Sequence, residues 1–139
     1  MTESSSSLFG PVISCYSRQM AIDDGILIEV PEVMSKEAGI VFPVAYTVGV
    51  WDYIEPEDIA EMPGQSKDGR LWDLLSMFRF AAQTSKGHTD RLTYKMIFQM
   101  RKQVHNRVIT IPETVTIYAA CGPGDHGEPV ITLMLPGED

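Results

Sequence analysis

The chain has only two cysteines in 139 residues, Cys15 and Cys121, far apart and without a C-x-x-C pair. That spacing gives neither a disulfide framework nor a zinc knuckle, so a reduced, cytoplasmic setting is expected. Each thiol lies in a short apolar segment and is read as buried and inert. Long apolar runs are also missing: no window approaches the eighteen or so residues of a membrane span, and no membrane partner is expected. Met1 to Pro11 carries four consecutive serines but no basic cluster and no apolar stretch of signal-peptide length, so no secretion signal is read there. Basic residues are scarce, 11 against 19 acidic ones for a net charge of −8, which disfavours indiscriminate binding to polyanions. No G-x-S-x-G, H-E-x-x-H, P-loop or dinucleotide fingerprint occurs, and no cofactor is expected.

What is present suits one soluble domain, with residues 1–11 as a polar tail and 12–139 as a single folded unit. Val12 to Cys15 reads as a short strand. Ser17 offers an N-cap to a brief helix over Arg18 to Asp24, closed by Gly25, and Ile26 to Val30 follows as a strand. The same punctuation returns with Pro31 opening a helix to Ala38 and Gly39 stopping it. Phe42 to Ile54 is β-branched, yet Val44, Val48 and Trp51 fall at i, i+4 and i+7, and the spacing predicts a helix. Glu55 to Gly69 is acidic, then rich in Pro and Gly, and reads as a mobile surface connection with one helical turn at Glu57 to Met62. Leu71, Leu74, Leu75, Phe78 and Ala82 recur at helical spacing, which predicts a long amphipathic helix over Gly69 to Ser85, ended by Gly87.

Beyond it the period changes from 3.6 to 2. Tyr94, Met96, Phe98 and Met100 alternate with polar partners, with Ile97 as the exception on the outer face. His105-Asn106 is a hairpin turn before Val108 to Ile111, and Thr114 to Cys121 and Val130 to Leu135 are further strands. The fold class is therefore α+β: short N-terminal helices and strands, then one long amphipathic helix packed on a C-terminal antiparallel meander of three or more strands.

The charge is segregated. Residues 1–62 carry eleven acidic and two basic side chains, residues 63–110 three and nine, and residues 111–139 five and none. Lys95, Arg101, Lys102 and Arg107 cluster around the hairpin. The simplest account is neutralisation of the basic segment by the acidic ones within the fold; the functional account is a basic face for nucleic acid or an acidic partner. Tyr94 and Phe98 fall opposite Lys95 and Arg101, and so read as core rather than a base-stacking platform.

The densest polar group is Gly122-Pro123-Gly124-Asp125-His126-Gly127-Glu128-Pro129, an eight-residue connection that is long for a hairpin. Asp125, His126 and Glu128 could offer metal ligands or a carboxylate-oriented imidazole, although three nearly adjacent ligands lack the separation that fixes a geometry. Glycine and proline more simply specify a turn, with Asp125 bonding its own backbone. Trp51 and Trp72 are expected as core or half-buried anchors, and Glu55, Glu57, Asp58 and Glu61 as a solvated face.

Four blocks together are more specific: Tyr16-Ser17-Arg18-Gln19-x-Ala21-Ile22-x-Asp24-Gly25-x-Leu27, Glu37-Ala38-Gly39-Ile40-x-Phe42-Pro43-Val44-Ala45, Gly69-Arg70-Leu71-Trp72-Asp73, and the run from Gly122 through Pro129 to Val130-Ile131-Thr132. From about Val12 to the C-terminus the chain resembles a family of small uncharacterised proteins carried by bacterial plasmids, phages and integrated elements. The resemblance brings no activity and no catalytic residues. It implies a mobile-element setting, in which small acidic proteins often act as accessory or counter-defence binders. The leading expectation is a non-enzymatic module that binds a protein partner through Asp125, His126, Glu128 and the neighbouring sheet face. A nucleic-acid binder using Lys95, Arg101, Lys102 and Arg107 is the alternative, and a small enzyme or metal site at His126 the third.

Overall fold

The first helix is punctuated as its residues dictate. The Ser17 hydroxyl accepts from the Met20 amide at 3.0 Å, α1 runs Arg18–Asp23, and Gly25 leaves it with φ +78°. The computed structural model describes residues 16–85 and 90–138. The expected strand at Val12 to Cys15 and the stop at Gly87 therefore lie outside the described residues. Strand β1 (Leu27–Glu29) is followed by α2 (Glu32–Glu37), which Pro31 precedes and Gly39, at φ +85°, terminates.

The next segment departs from the predicted helix. Val44–Thr47 is a strand, β2, and only Val48–Ile54 is helical, α3. All four β2 residues are buried, because the strand lies inside the sheet with helices over both faces. Such a strand shows a continuous apolar run instead of alternation, and the i, i+4, i+7 spacing there is a coincidence spanning two elements. Thr47 switches the chain from one to the other: it is extended, at ψ 165°, and its hydroxyl accepts from the Val50 amide.

A single 3₁₀ turn, Ile59–Glu61, interrupts the following connection. The long helix α4 spans Lys67–Thr84, starting two residues before the predicted start because Ser66 accepts from the Gly69 amide at 3.0 Å. Strand β3 (Arg91–Val104) and strand β4 (Arg107–Pro123) form one long hairpin across His105-Asn106, both at positive φ. Val108 to Ile111 and Thr114 to Cys121 are thus one strand and not two. Pro112 sits inside it opposite Gln99, at a pair whose backbone groups point away from each other, so no ladder bond is lost. Strand β5 (Pro129–Met134) completes the set.

The sheet order is β1-β2-β5-β4-β3. The β3-β4-β5 meander is antiparallel as expected, but β2 joins β5 in parallel, with Val44 beside Ile131 and Tyr46 beside Leu133. The sheet is therefore mixed, and the N-terminal and C-terminal halves share it. One face meets α2, α3 and α4 through a single core that includes Val50, Ile54, Leu71, Leu74, Leu75, Tyr94, Ile117 and Leu133. The other face carries α1 near β5 and is open over β3 and β4. Among the described residues no helix is long and apolar enough to cross a membrane.

Among the described residues Arg70 is the one charged residue that is buried. Its guanidinium donates to the Tyr53 and Gln99 carbonyls and to the Gln65 side chain, and lies 5.6 Å from the centre of the Phe98 ring. It thereby ties α3, the connection before α4 and the edge strand β3 to one point, and it caps an outward carbonyl on a strand edge that would otherwise be open to pairing.

Candidate functional site

The Gly/Pro-rich loop is shorter than its sequence suggests. β4 continues to Pro123 and β5 begins at Pro129, which leaves Gly124 to Glu128, an ordinary hairpin length. Its hydrogen bonds explain its composition. The Gly124 amide donates to the Glu128 carbonyl at 2.6 Å, the Gly127 amide donates to the Gly124 carbonyl at 3.1 Å, and Gly127 has φ +81°. The Glu128 carboxylate accepts from the His126 amide at 2.9 Å and lies so close to Gly124 that a Cβ there would collide with it.

Asp125 does not close on its own backbone as expected. Its two carboxylate oxygens accept from the Arg18 and Gln19 amides at 2.8 and 3.0 Å. These are the first two amides of α1, and Ser17 takes the third, so orphan donors at the helix start are met from two parts of the chain. The Arg18 side chain then crosses to β5, donating to Thr132 Oγ1 at 2.7 Å and to the Ile131 carbonyl at 3.0 Å. The loop and α1 thus clasp each other over the end of the sheet, beside a cleft of about 230 Å³ that Glu29, Pro43 and Val130 also line.

This geometry redistributes the predicted roles. Asp125, His126 and Glu128 join Arg18 at that cleft, but they do not aim at a common point: Asp125 serves α1, Glu128 serves its own turn, and the imidazole of His126 is held by no carboxylate among the described residues. The described residues contain no group of three His, Cys, Asp or Glu placed to hold a metal ion. Asp24 is engaged by the Tyr16 hydroxyl at 2.7 Å, and Trp51 and Trp72 belong to helices on the opposite face. Trp51 is half-buried as expected, beneath the Lys67 ammonium, whereas Trp72 is exposed.

The Gln19 amide, and after it the Arg18 amide, hold the Asp125 carboxyl below the usual carboxylate range. A carboxylate lowered by folding adds stability above its unfolded value, near 4, and that contribution is lost as pH falls through the folded value. Asp125→Ala is therefore expected to speed hydrogen exchange at the amides of Arg18 to Met20 while leaving β3 and β4 unchanged. Asp125→Asn should flatten the acid side of the stability profile below about pH 4. Unaltered exchange in α1 would show that the clasp carries no weight.

The basic cluster is also dispersed. Arg101 pairs with Glu61, Lys102 with Glu113 at 3.5 Å, and Lys67, further back, with Glu55 at 4.0 Å. The central segment does neutralise acidic neighbours on both sides. Lys95 and Arg101 share one face of β3, six residues or roughly 20 Å apart, and Lys102 has the opposite parity. Arg107 is exposed beside the turn. Tyr94 and Phe98 are buried, as their alternation required.

Three features escape the sequence reading. Arg70 looks like any helix-surface arginine until β3 is placed beside it. Arg18 carries a signal only in hindsight, as the residue after an N-cap. Cys121 is half-exposed and not buried, because it borders an apolar cavity between α4 and the sheet that no periodicity announces. Comparison with curated proteins and with solved structures returns no match. A family model does match, over residues 8–139: the chain belongs to the family of unknown function DUF6573.

Proposed function

We propose that the protein is a non-enzymatic binding module, an accessory protein of a mobile genetic element, that engages a protein partner through the outer part of the β3-β4 hairpin. The mobile-element setting rests on the resemblance of its four sequence blocks. The binding role rests on one observation: the hairpin runs on past the point where the chain's own helices cover it, and carries exposed apolar side chains there. The Tyr53 hydroxyl, donating to Glu113 at 2.9 Å, marks the end of the cover. From Met100 beside Ile111 to Val104 beside Arg107 the ladder runs on, and Val104, Val108 and Ile109 are exposed. Apolar side chains in regular register on a two-stranded arm suit a protein partner with apolar and acidic groups, since Lys102 and Arg107 flank Val104 and Ile109.

Nucleic acid is the weaker reading. The arm between Gln99 and Pro112 has no Phe, Tyr or Trp on which a base could stack, and two of its three Lys and Arg side chains are already paired. A photo-crosslinking residue at Ile109 should give a discrete protein adduct in cells. The same residue at Asp24 should give none, and Val104→Asp should abolish the adduct without changing the melting temperature. Equal labelling at both positions, or a shift of RNA or DNA that weakens steeply with salt, would overturn the proposal.

A further inference from the structure

Between the second half of α4, the loop after Gly39 and the sheet lies a cavity of about 370 Å³. Its wall includes Ile40, Phe78, Ala82, Leu92, Cys121 and Ile131, none of them charged. It opens to solvent beside Ala82 and Gln83, which are exposed, and is of the size that holds ligands. Small side chains keep it open: Ala82 on the helix, and Ala119 and Cys121 on β4, stand where leucine or phenylalanine would fill it.

The mouth has a defined polarity. Three exposed charged residues, Arg79, Asp90 and Arg91, border the cavity, and the Arg91 side chain is engaged by donating to the Tyr118 hydroxyl at 2.7 Å. Gly39 lacks a Cβ where the end of the Arg79 side chain passes, so Cδ, Nε and Cζ lie directly against the backbone and the guanidinium is placed beside the opening. Among the described residues the Arg79 guanidinium has no hydrogen-bond or ion-pair partner. It therefore presents donors, with no acceptor among the described residues, at the edge of an apolar space.

We infer that this cavity binds a small monoanionic amphiphile, whose apolar body fills the space and whose carboxylate is received by Arg79. A cavity of roughly 150 Å³ holds a benzene ring, so this one suits a body of about ten to fifteen non-hydrogen atoms. Asp90 at the same mouth sets the charge of the head: one negative charge is compensated by Arg79, while a phosphate-like dianion meets repulsion. The site is independent of the hairpin arm, and either can fail without the other.

Decanoate, below its micelle concentration, is the probe, with decylamine as the cation of equal chain length. Added to the full chain, decanoate should slow alkylation of Cys121 by N-ethylmaleimide, read by peptide mass spectrometry, and should shift the amide resonances of Ala82, Leu92 and Cys121. Decylamine should bind about tenfold more weakly, the loss of one charge-assisted contact. Arg79→Gln should bring decanoate to the level of decylamine while leaving the melting temperature unchanged. Ala82→Trp should abolish protection by either, with Ala82→Leu as a milder filling variant if the tryptophan perturbs folding. Equal protection by the two probes, full protection in the filled variants, or no protection by decanoate would overturn the inference.

Discussion

Arg70→Ala is expected to lower the unfolding free energy by about 3 kcal/mol, since it leaves acceptors without their donor and opens a void against Phe98. The Tyr53 and Gln99 carbonyls lose a charge-assisted partner at once, and α3, the connection and β3 lose their common tie. Burial disfavours the charged form of Arg70 and lowers its proton affinity, so the guanidinium is held at a cost that the carbonyl acceptors offset. Two further replacements separate volume from hydrogen bonding. Arg70→Met restores most of the volume but no donors, and Arg70→Lys restores charge but not the planar fork. Both should remain at least about 1 kcal/mol below the wild type in urea unfolding with an unchanged slope. A methionine variant as stable as the wild type would show that packing, not the carbonyl contacts, is what the site needs.

Leu133→Ala should cost about 2–5 kcal/mol. Leu133 is fully buried near the end of β5, beside Tyr46 of β2 and Ala119 of β4, so the cavity opens where both halves of the sheet meet. The neighbours cannot relax inward, because each is fixed by its own ladder on the far side. Chemical unfolding measures the loss. An effect under about 1 kcal/mol would mean that the surroundings collapse onto the alanine more readily than central ladders allow.

The sequence is legible where a local signal and the tertiary environment agree. Ser17 and Gly25 bracket α1 by capping alone, and the 3.6-residue stripe through Leu71, Leu75 and Phe78 locates α4 because one face of that helix meets the core and the other meets water. The alternation of Tyr94, Met96 and Phe98 is visible for the same reason, as β3 is covered on one side only. It fails at Val44–Thr47, where burial on both sides erases alternation, and at Pro112, where proline is harmless only because that stretch of β4 has no neighbour on its outer edge. At the candidate loop, sequence identifies the turn but not the destination of Asp125. Its partners lie more than a hundred positions earlier, and no short-range pattern encodes that contact. The cavity is illegible because it depends on small residues of α4 and β4 that become neighbours only on folding.

The central place of β5 has a consequence for how the chain reaches this state. A nascent chain synthesised as far as β4 holds two fragments, β1 with β2 and β3 with β4, and neither can recruit the other, since the strand joining them has not yet been made. The hairpin can zip locally and early; the parallel pairing of Val44 with Ile131 closes the largest loop between paired strands and comes late. Until then Val44 and Tyr46 lie on an exposed strand edge, so the interval before β5 emerges from the ribosome is when this protein is most open to chaperones and to aggregation.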